Sequence, residues 1–224
     1  MESSTVTRSH GMALKLKKHQ RTAVTPDPHG HVFLISSGVL LAEIRLPAPE
    51  RQILEIMYPG DVFQTQDAPA GSTTTLVAVV AAEVQRLRSD VLDSLERADP
   101  EFARYLAAAL AHRNARKTLR LASLSSPASE ERLADFLVET GLHLGEVHGL
   151  GRSFPIALTR DEIADYLALN PDTLSRTQSR LKARGLLSIT SGRATVPDWQ
   201  ALCALSPISS ALTEAYQRAP RLPG

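Results

Sequence analysis

The sequence predicts an α+β chain in three parts: an N-terminal antiparallel β-roll, a long helix and a C-terminal winged helix–turn–helix. Three observations predict it. Between His31 and Arg88, short β-branched runs alternate with Gly and Pro punctuation. From Asp99 the apolar period lengthens to three and four residues, and no Gly or Pro interrupts Glu101 to Ser126. Near residue 160, two capped helical patterns follow each other almost without a gap, and the second is basic. The expected organisation is a basic flexible tail (1–25), the roll (26–96), the long helix (97–125), the winged helix–turn–helix (126–205) and a C-terminal extension (206–224).

Bulk properties bound the function. A chain of 224 residues holds two modest domains, each able to bury a core. The formal net charge is only +1, so affinity for a polyanion has to come from local clustering. A lone cysteine, Cys203, excludes an intrachain disulfide, a CxxC zinc knuckle and a four-cysteine iron–sulfur cage, and reads as a small buried hydrophobe. The longest apolar run, LVAVVAA at 76–82, is far too short to span a bilayer, and the N-terminus has no hydrophobic signal region. The expectation is a cytoplasmic protein without a membrane partner.

The tail carries Arg8, Lys15, Lys17, Lys18 and Arg21 against Glu2, which suits a solvated segment or a contact with nucleic acid. In the roll, HVFLISSGVLLAEIRL joins two apolar runs through Ser36-Ser37-Gly38, and QILEIMYPGDVF alternates before a Pro59-Gly60 turn. STTTLVAVVAAEVQRL supplies further β-branched strand. Asp99 is a good N-cap, with Pro100 at the first helical position and Glu101 in the first turn. Phe102, Leu106, Leu110 and Leu121 then form an apolar stripe, and the helix is either a dimer seam or a spine. A third helical unit follows, with Ser129 as a cap, Glu130 and Glu131 in the first turn, and Leu133, Phe136, Leu137 and Thr140 on one face. GEVHGLGRSFP reads as a loop.

The sharpest pattern lies at 159–184. Thr159 caps a helix with Glu162 three residues on, and Ile163, Ala164, Tyr166 and Leu167 make its inner face. Asn170-Pro171 starts the second helix almost at once, packed through the small residues Ala164 and Ala168. Leu174 and Leu181 hold that helix down, leaving Asp172, Thr173, Ser175, Arg176, Ser179 and Arg180 facing outward. Arg176 suits bidentate donation to guanine, Asp172 accepts from a base amino group, and Thr173 and Ser175 reach base edges. Thr159, Ser179, Arg180, Lys182, Arg184 and, on the wing, Arg193 suit phosphates. LLSITSGRATVPDW reads as two short strands around Ser191-Gly192, a wing. The charge of this helix therefore faces DNA.

FPIALTRDEIADYLALNPDTLSRTQSRLKARGLL resembles the DNA-binding module of Crp/Fnr-type regulators, and the order of parts agrees over nearly the whole chain. HVFLISSGVLLAEI and YPGDVF are similar to the strands of the family's cyclic-nucleotide-binding-like roll. The resemblance implies a homodimeric transcription factor on an inverted repeat, with RNA polymerase as a partner and no enzymatic activity. Asp172-Thr173-Leu174-Ser175-Arg176 is similar to the Glu-x-x-Ser-Arg pattern of the Fnr/FixK branch, with Asp in place of Glu, and implies a TTGA-like half-site. Gln178 departs from an apolar position, and Thr177 is expected to supply the methyl contact instead.

In nucleotide-binding members a Glu and an Arg hold the ribose and the cyclic phosphate; here Thr65 and Ser72 fall at those positions. No Arg or Lys occurs between Arg51 and Arg86, so cyclic AMP binding in that manner is not expected, and no cofactor is assigned. The alternatives are a haem- or small-molecule-gated sensor, with His10, His19, His29, His31 and His112 as the histidines near the roll, or a protein-interaction antagonist of another regulator.

Overall fold

The computed structural model describes residues 11–24, 30–46, 51–69 and 71–220. The described chain divides into two compact units, residues up to Asn114 with 219–220, and Ala115–Arg218. The first unit begins with the strands β1 (Met12–Leu16), β2 (Arg21–Val24), β3 (His31–Ser37), β4 (Leu40–Arg45), β5 (Arg51–Met57), β6 (Val62–Gln64), β7 (Thr73–Ala78) and β8 (Ala82–Arg88). They form two antiparallel sheets, ordered β1-β8-β3-β6 and β2-β7-β4-β5.

Strand β3 is apolar at every position from Val32 to Ile35 because both its faces are covered. Phe33 and Ile35 join Leu40, Met57, Phe63 and Leu76 in the core between the sheets. Val32 and Leu34 point the other way, into a second cluster with helix α1 (Ser89–Ala98) and the long helix α2 (Pro100–Ser125). A strand buried on both sides loses the period-two alternation that otherwise betrays it. The turn into β4 needs Gly38: at φ 85° its added Cβ would lie 2.5 Å from the Ala81 carbonyl oxygen.

Two expectations fail here. Residues 12–24 are not a flexible tail but β1 and β2, which pair with β8 and β7. Leu16 and Val24 are buried between the sheets, while Lys15 is exposed on β1 and Lys17 and Lys18 are exposed in the turn that follows it. Residues 1–10, with Arg8 and His10, lie outside the described residues, as does His29. Helix α1 was also not expected, since its stretch was read as the end of the roll; Leu92 and Leu95 bury it. The start of α2 follows its sequence, because the Asp99 carboxylate accepts from the backbone N–H of Glu101 and Phe102 at 3.0 and 3.1 Å.

On α2, Phe102 and Leu106 are buried in the core of the first unit and Leu110 packs partly against it. Phe102 and Leu106 are therefore closed to a partner, which corrects those two positions of the dimer stripe read from sequence. Leu121 alone of the four stands open, 68 % exposed. The large apolar residues of the first part of this helix, Phe102, Tyr105 and Leu106, face the roll. Farther along α2, Arg113 is 4 % exposed and reaches back into the roll. It donates from Nε to Glu55 at 2.9 Å, pairs through its other nitrogens with Glu55 and Asp67, and lies 4.5 Å over the Phe63 ring. Burial pulls its pKa down, but the two carboxylates more than offset that and hold it above the ordinary value.

The second unit contains α3 (Ser129–Leu144), β9 (Glu146–His148), β10 (Gly151–Pro155), α4 (Arg160–Tyr166), α5 (Pro171–Ala183), β11 (Ser188–Thr190), β12 (Arg193–Val196), α6 (Trp199–Cys203) and α7 (Ser209–Gln217). The expected wing is the β11–β12 hairpin, and it belongs to a four-stranded sheet ordered β11-β12-β10-β9. The stretch read as a loop supplies β9 and β10, a hairpin turned at Gly149. Ser129 does not cap α3. The N-cap is Ala128, and the Ser129 hydroxyl meets that of Thr177 at 3.0 Å. Cys203 is half-buried, with its thiol pushed up by burial.

Candidate nucleic-acid interface

The two helices of interest are short, and each is fixed by its caps. The Thr159 hydroxyl accepts from the Glu162 N–H at 3.3 Å, and the Glu162 carboxylate accepts from the Thr159 N–H at 2.7 Å, closing a capping box on α4. Asn170 caps α5 by accepting from the Asp172 N–H at 2.8 Å, and Pro171 occupies its first position. Leu174, Thr177 and Leu181 form the buried face of α5. The opposite face presents Asp172, Arg176, Ser179, Arg180 and Lys182 exposed, with Thr173 and Ser175 half-exposed beside them.

Two readings of this helix change. Thr177 is 0 % exposed, and its hydroxyl donates to the Thr173 carbonyl at 2.8 Å. It is a core residue and has no methyl to offer a base. Ala168 is exposed in the turn and does not pack the helices together, whereas Ala164 is buried as expected.

The cations divide into paired and open ones. Arg184 is paired with Glu130 at the start of α3. Arg193, directly after the turn of the wing, is held by Glu146 at 3.0 Å and by the Ser153 hydroxyl at 3.3 Å. Arg180 donates to the Thr177 hydroxyl at 3.2 Å but remains exposed, and Arg176 makes only a long 3.4 Å bond to the Asp172 carbonyl. The Thr159 hydroxyl also donates to the Glu162 carboxylate, at 2.9 Å, so its lone pairs and proton serve the cap. The structure therefore brings Asp172, Thr173, Ser175, Arg176 and Arg180 onto one face of one helix and engages Thr159, Arg184 and Arg193 elsewhere.

Behind this face lies a buried polar network that sequence reasoning missed. Arg116 on α2 binds Glu139 on α3 at 2.9 and 3.0 Å, and the Tyr166 hydroxyl donates to the same carboxylate at 3.2 Å. Asp135 accepts from Ser123 and Ser206, both at 2.5 Å. Burial raises the Asp135 carboxyl pKa, with the two hydroxyls opposing. Buried charges on helices that otherwise show ordinary apolar periodicity leave no pattern in the sequence. Among the described residues, no three His, Cys, Asp or Glu side chains cluster as metal ligands.

A roll of two antiparallel sheets, a long helix and a winged helix–turn–helix with a basic outward helix define a DNA-binding transcription regulator. Residues 131–205 match the Crp-like helix-turn-helix domain. The chain is 28 % identical over 196 residues to the transcriptional activator protein anr of Pseudomonas aeruginosa, covering 85 % of this chain and 79 % of that one. It is 29 % identical over 167 residues to the nitrogen fixation regulation protein FixK of Rhizobium meliloti, covering 75 % and 74 %. Its fold is similar to that of FixK2 from Bradyrhizobium japonicum, with a TM-score of 0.72, 24 % identity, and coverage of 88 % and 97 %. Residues 131–205 thus belong to the Crp-like helix-turn-helix family, and over most of its length the chain is similar to transcription regulators of the Anr and FixK kind.

Proposed function

We propose that this regulator is a cytoplasmic homodimer that reads an inverted repeat of TTGA-like half-sites and works with RNA polymerase, independently of cyclic AMP. The observation that carries the reading is the face of α5, where Asp172 and Arg176 are exposed and Ser175 half-exposed over a helix whose other side is buried. Arg176 in the second turn is free to donate two bonds to a guanine, and Asp172 in the first turn is free to accept from a base amino group. Arg180 and Lys182, exposed farther along the helix, suit the flanking phosphates.

Dimerisation is supported by the open face of α2. Ala108, Ala111, Ala115, Thr118 and Ala122 recur there at alternating three- and four-residue steps, all exposed, with Leu121 beside them. That is the period of a two-helix seam. Effector independence is supported by the roll's interior. Thr65 is buried and accepts from the His31 N–H at 2.8 Å, and the Ser72 hydroxyl donates to the Pro69 carbonyl at 2.6 Å. The nearby carboxylates Glu55 and Asp67 already hold Arg113, so an entering anion meets two negative groups whose counter-cation is taken.

Selection of duplexes from a random pool by the purified chain tests the whole reading. The expected product is an inverted repeat with half-sites about one helical turn apart, recovered without added nucleotide. An unrepeated motif would sink the dimer, and enrichment only with cyclic AMP would sink effector independence.

A further inference from the structure

The turn between α4 and α5 is strained and is held from outside. Leu169 donates to the Ala164 carbonyl at 2.9 Å and Ala168 to that of Asp165 at 3.0 Å, a closure that ordinarily takes glycine at its left-handed position. Here the position is Ala168, at φ 49°. The matching closure after α5 does use glycine, Gly185 at φ 69°. Tyr166, Leu167 and Ala168 follow each other at the C-terminal end of α4, where a helix leaves its last carbonyls without donors of its own.

Two guanidinium groups take them. Arg120, from α2, donates to the Tyr166 carbonyl at 3.0 Å and lies 4.3 Å over the Tyr166 ring. Arg132, from α3, donates from one nitrogen to the Leu167 carbonyl at 2.9 Å and to that of Ala168 at 3.2 Å. Cations at a helix C-terminus also meet its negative dipole end. Arg120 and Arg132 thus tie the turn to two helices that are not part of the reading motif.

We propose that Arg120 and Arg132 are positioning residues for base readout: by clamping the turn they fix the angle at which α5 presents Asp172, Ser175 and Arg176. The inference rests on the DNA reading above and adds residues that lie outside α4 and α5. Its physical basis is a difference in tolerance. Bidentate contact with a base edge needs placement within about 0.5 Å. A phosphate contact from a long flexible cation does not, because the side chain follows a displaced helix. Loosening the clamp therefore weakens specific binding more than non-specific binding.

The test uses the full chain and two duplexes, the sequence that the wild type itself enriches from a random pool and a scramble of it. Anisotropy titrations at fixed salt compare wild type, Arg120→Ala, Arg132→Ala and Arg132→Lys. The expected result is a loss of roughly tenfold or more on the enriched duplex for either alanine variant. Affinity for the scramble and the slope of affinity against salt stay as in the wild type, since the phosphate contacts remain. Arg132→Lys, which keeps one donor, falls between. Equal losses on both duplexes, tracking the thermal midpoint, would mean that the arginines only stabilise the fold and would overturn the proposal. So would an unchanged ratio in both alanine variants. Failure of the wild type to enrich any sequence is a different outcome: it removes the DNA reading itself, and this inference with it.

Discussion

Replacing Arg113 by methionine tests how the roll is held. Methionine keeps the reach of the side chain but leaves Glu55, which is buried, and Asp67, 27 % exposed in its side chain, without their cation. Removing one partner of a buried pair costs about 3–5 kcal/mol, and the partial exposure of Asp67 argues for the lower end. At about 3 kcal/mol the thermal midpoint falls by roughly 6–12 °C for a chain of this size. The two units can be followed separately, because the only tryptophan, Trp199, lies in the second while the roll contributes most of the strand signal. Urea unfolding of Arg113→Met should move the circular dichroism transition to lower denaturant and move the Trp199 fluorescence transition less. Adding Glu55→Gln and Asp67→Asn should recover most of the loss, since a neutral cluster has no charge to leave bare. A cost below about 1 kcal/mol, typical of an exposed pair, would refute the buried clamp. So would a triple variant no more stable than Arg113→Met.

Other outcomes follow from the same geometry. Arg176→Ala should lose about 1–3 kcal/mol on the selected duplex and much less on random DNA; equal losses would make it a phosphate contact. Leu121→Glu should shift light scattering toward the monomer without changing the thermal midpoint of the monomer, whereas Leu106→Glu should unfold the roll, because Leu106 is buried in its own protomer. Ala168→Gly should stabilise the second unit by up to about 1 kcal/mol, since relief of the left-handed strain exceeds the entropy that glycine adds to the unfolded chain; destabilisation would mean that the turn carries no strain. Asp135→Asn should raise the midpoint at pH 7. The folded carboxyl has a raised pKa, so its ionisation opposes folding at neutral pH, and the variant's advantage should fade as pH falls through that pKa toward the unfolded value of about 3.9. An advantage that is constant with pH would contradict this.

What was legible in the sequence was whatever depended on local chemistry. The capping box at Thr159 and Glu162, the Asn170-Pro171 start and the Ser191-Gly192 hairpin each involve residues within a few positions of one another, and each appears where it was expected. Strand β1 was missed because its exposed Lys15 and the Lys17-Lys18 that follow drew attention away from Leu14 and Leu16, which alternate with them, and β2 because Arg21 hid the inward Val24. Thr177 was misplaced for a related reason. A threonine on a basic helix looks polar, yet its hydroxyl is satisfied by the Thr173 carbonyl of its own helix, which lets the side chain count as apolar in the core. The Arg113 clamp and the Arg120 and Arg132 contacts join positions 35 to 58 residues apart, and nothing local marks them.

The misreading of α2 follows from how one helix is shared between two demands. Sequence patterning ranks a helix face by its largest apolar residues, and Phe102, Leu106 and Leu110 win that ranking. Those are the residues the roll needs, because an eight-stranded unit of this size leaves the outer face of β3 and β8 uncovered unless a helix supplies side chains. In the proposed dimer, the face that meets a second copy is then left with what remains, and on α2 that is mostly alanine. Small residues suit a seam in one respect: they let helix axes approach to the short end of the usual 8–10 Å. They contribute little burial each, at about 0.8 kcal/mol per methylene-sized group, so a seam of this kind gains its strength from length. An unbroken helix of 26 residues supplies that length, and it explains why neither glycine nor proline interrupts it.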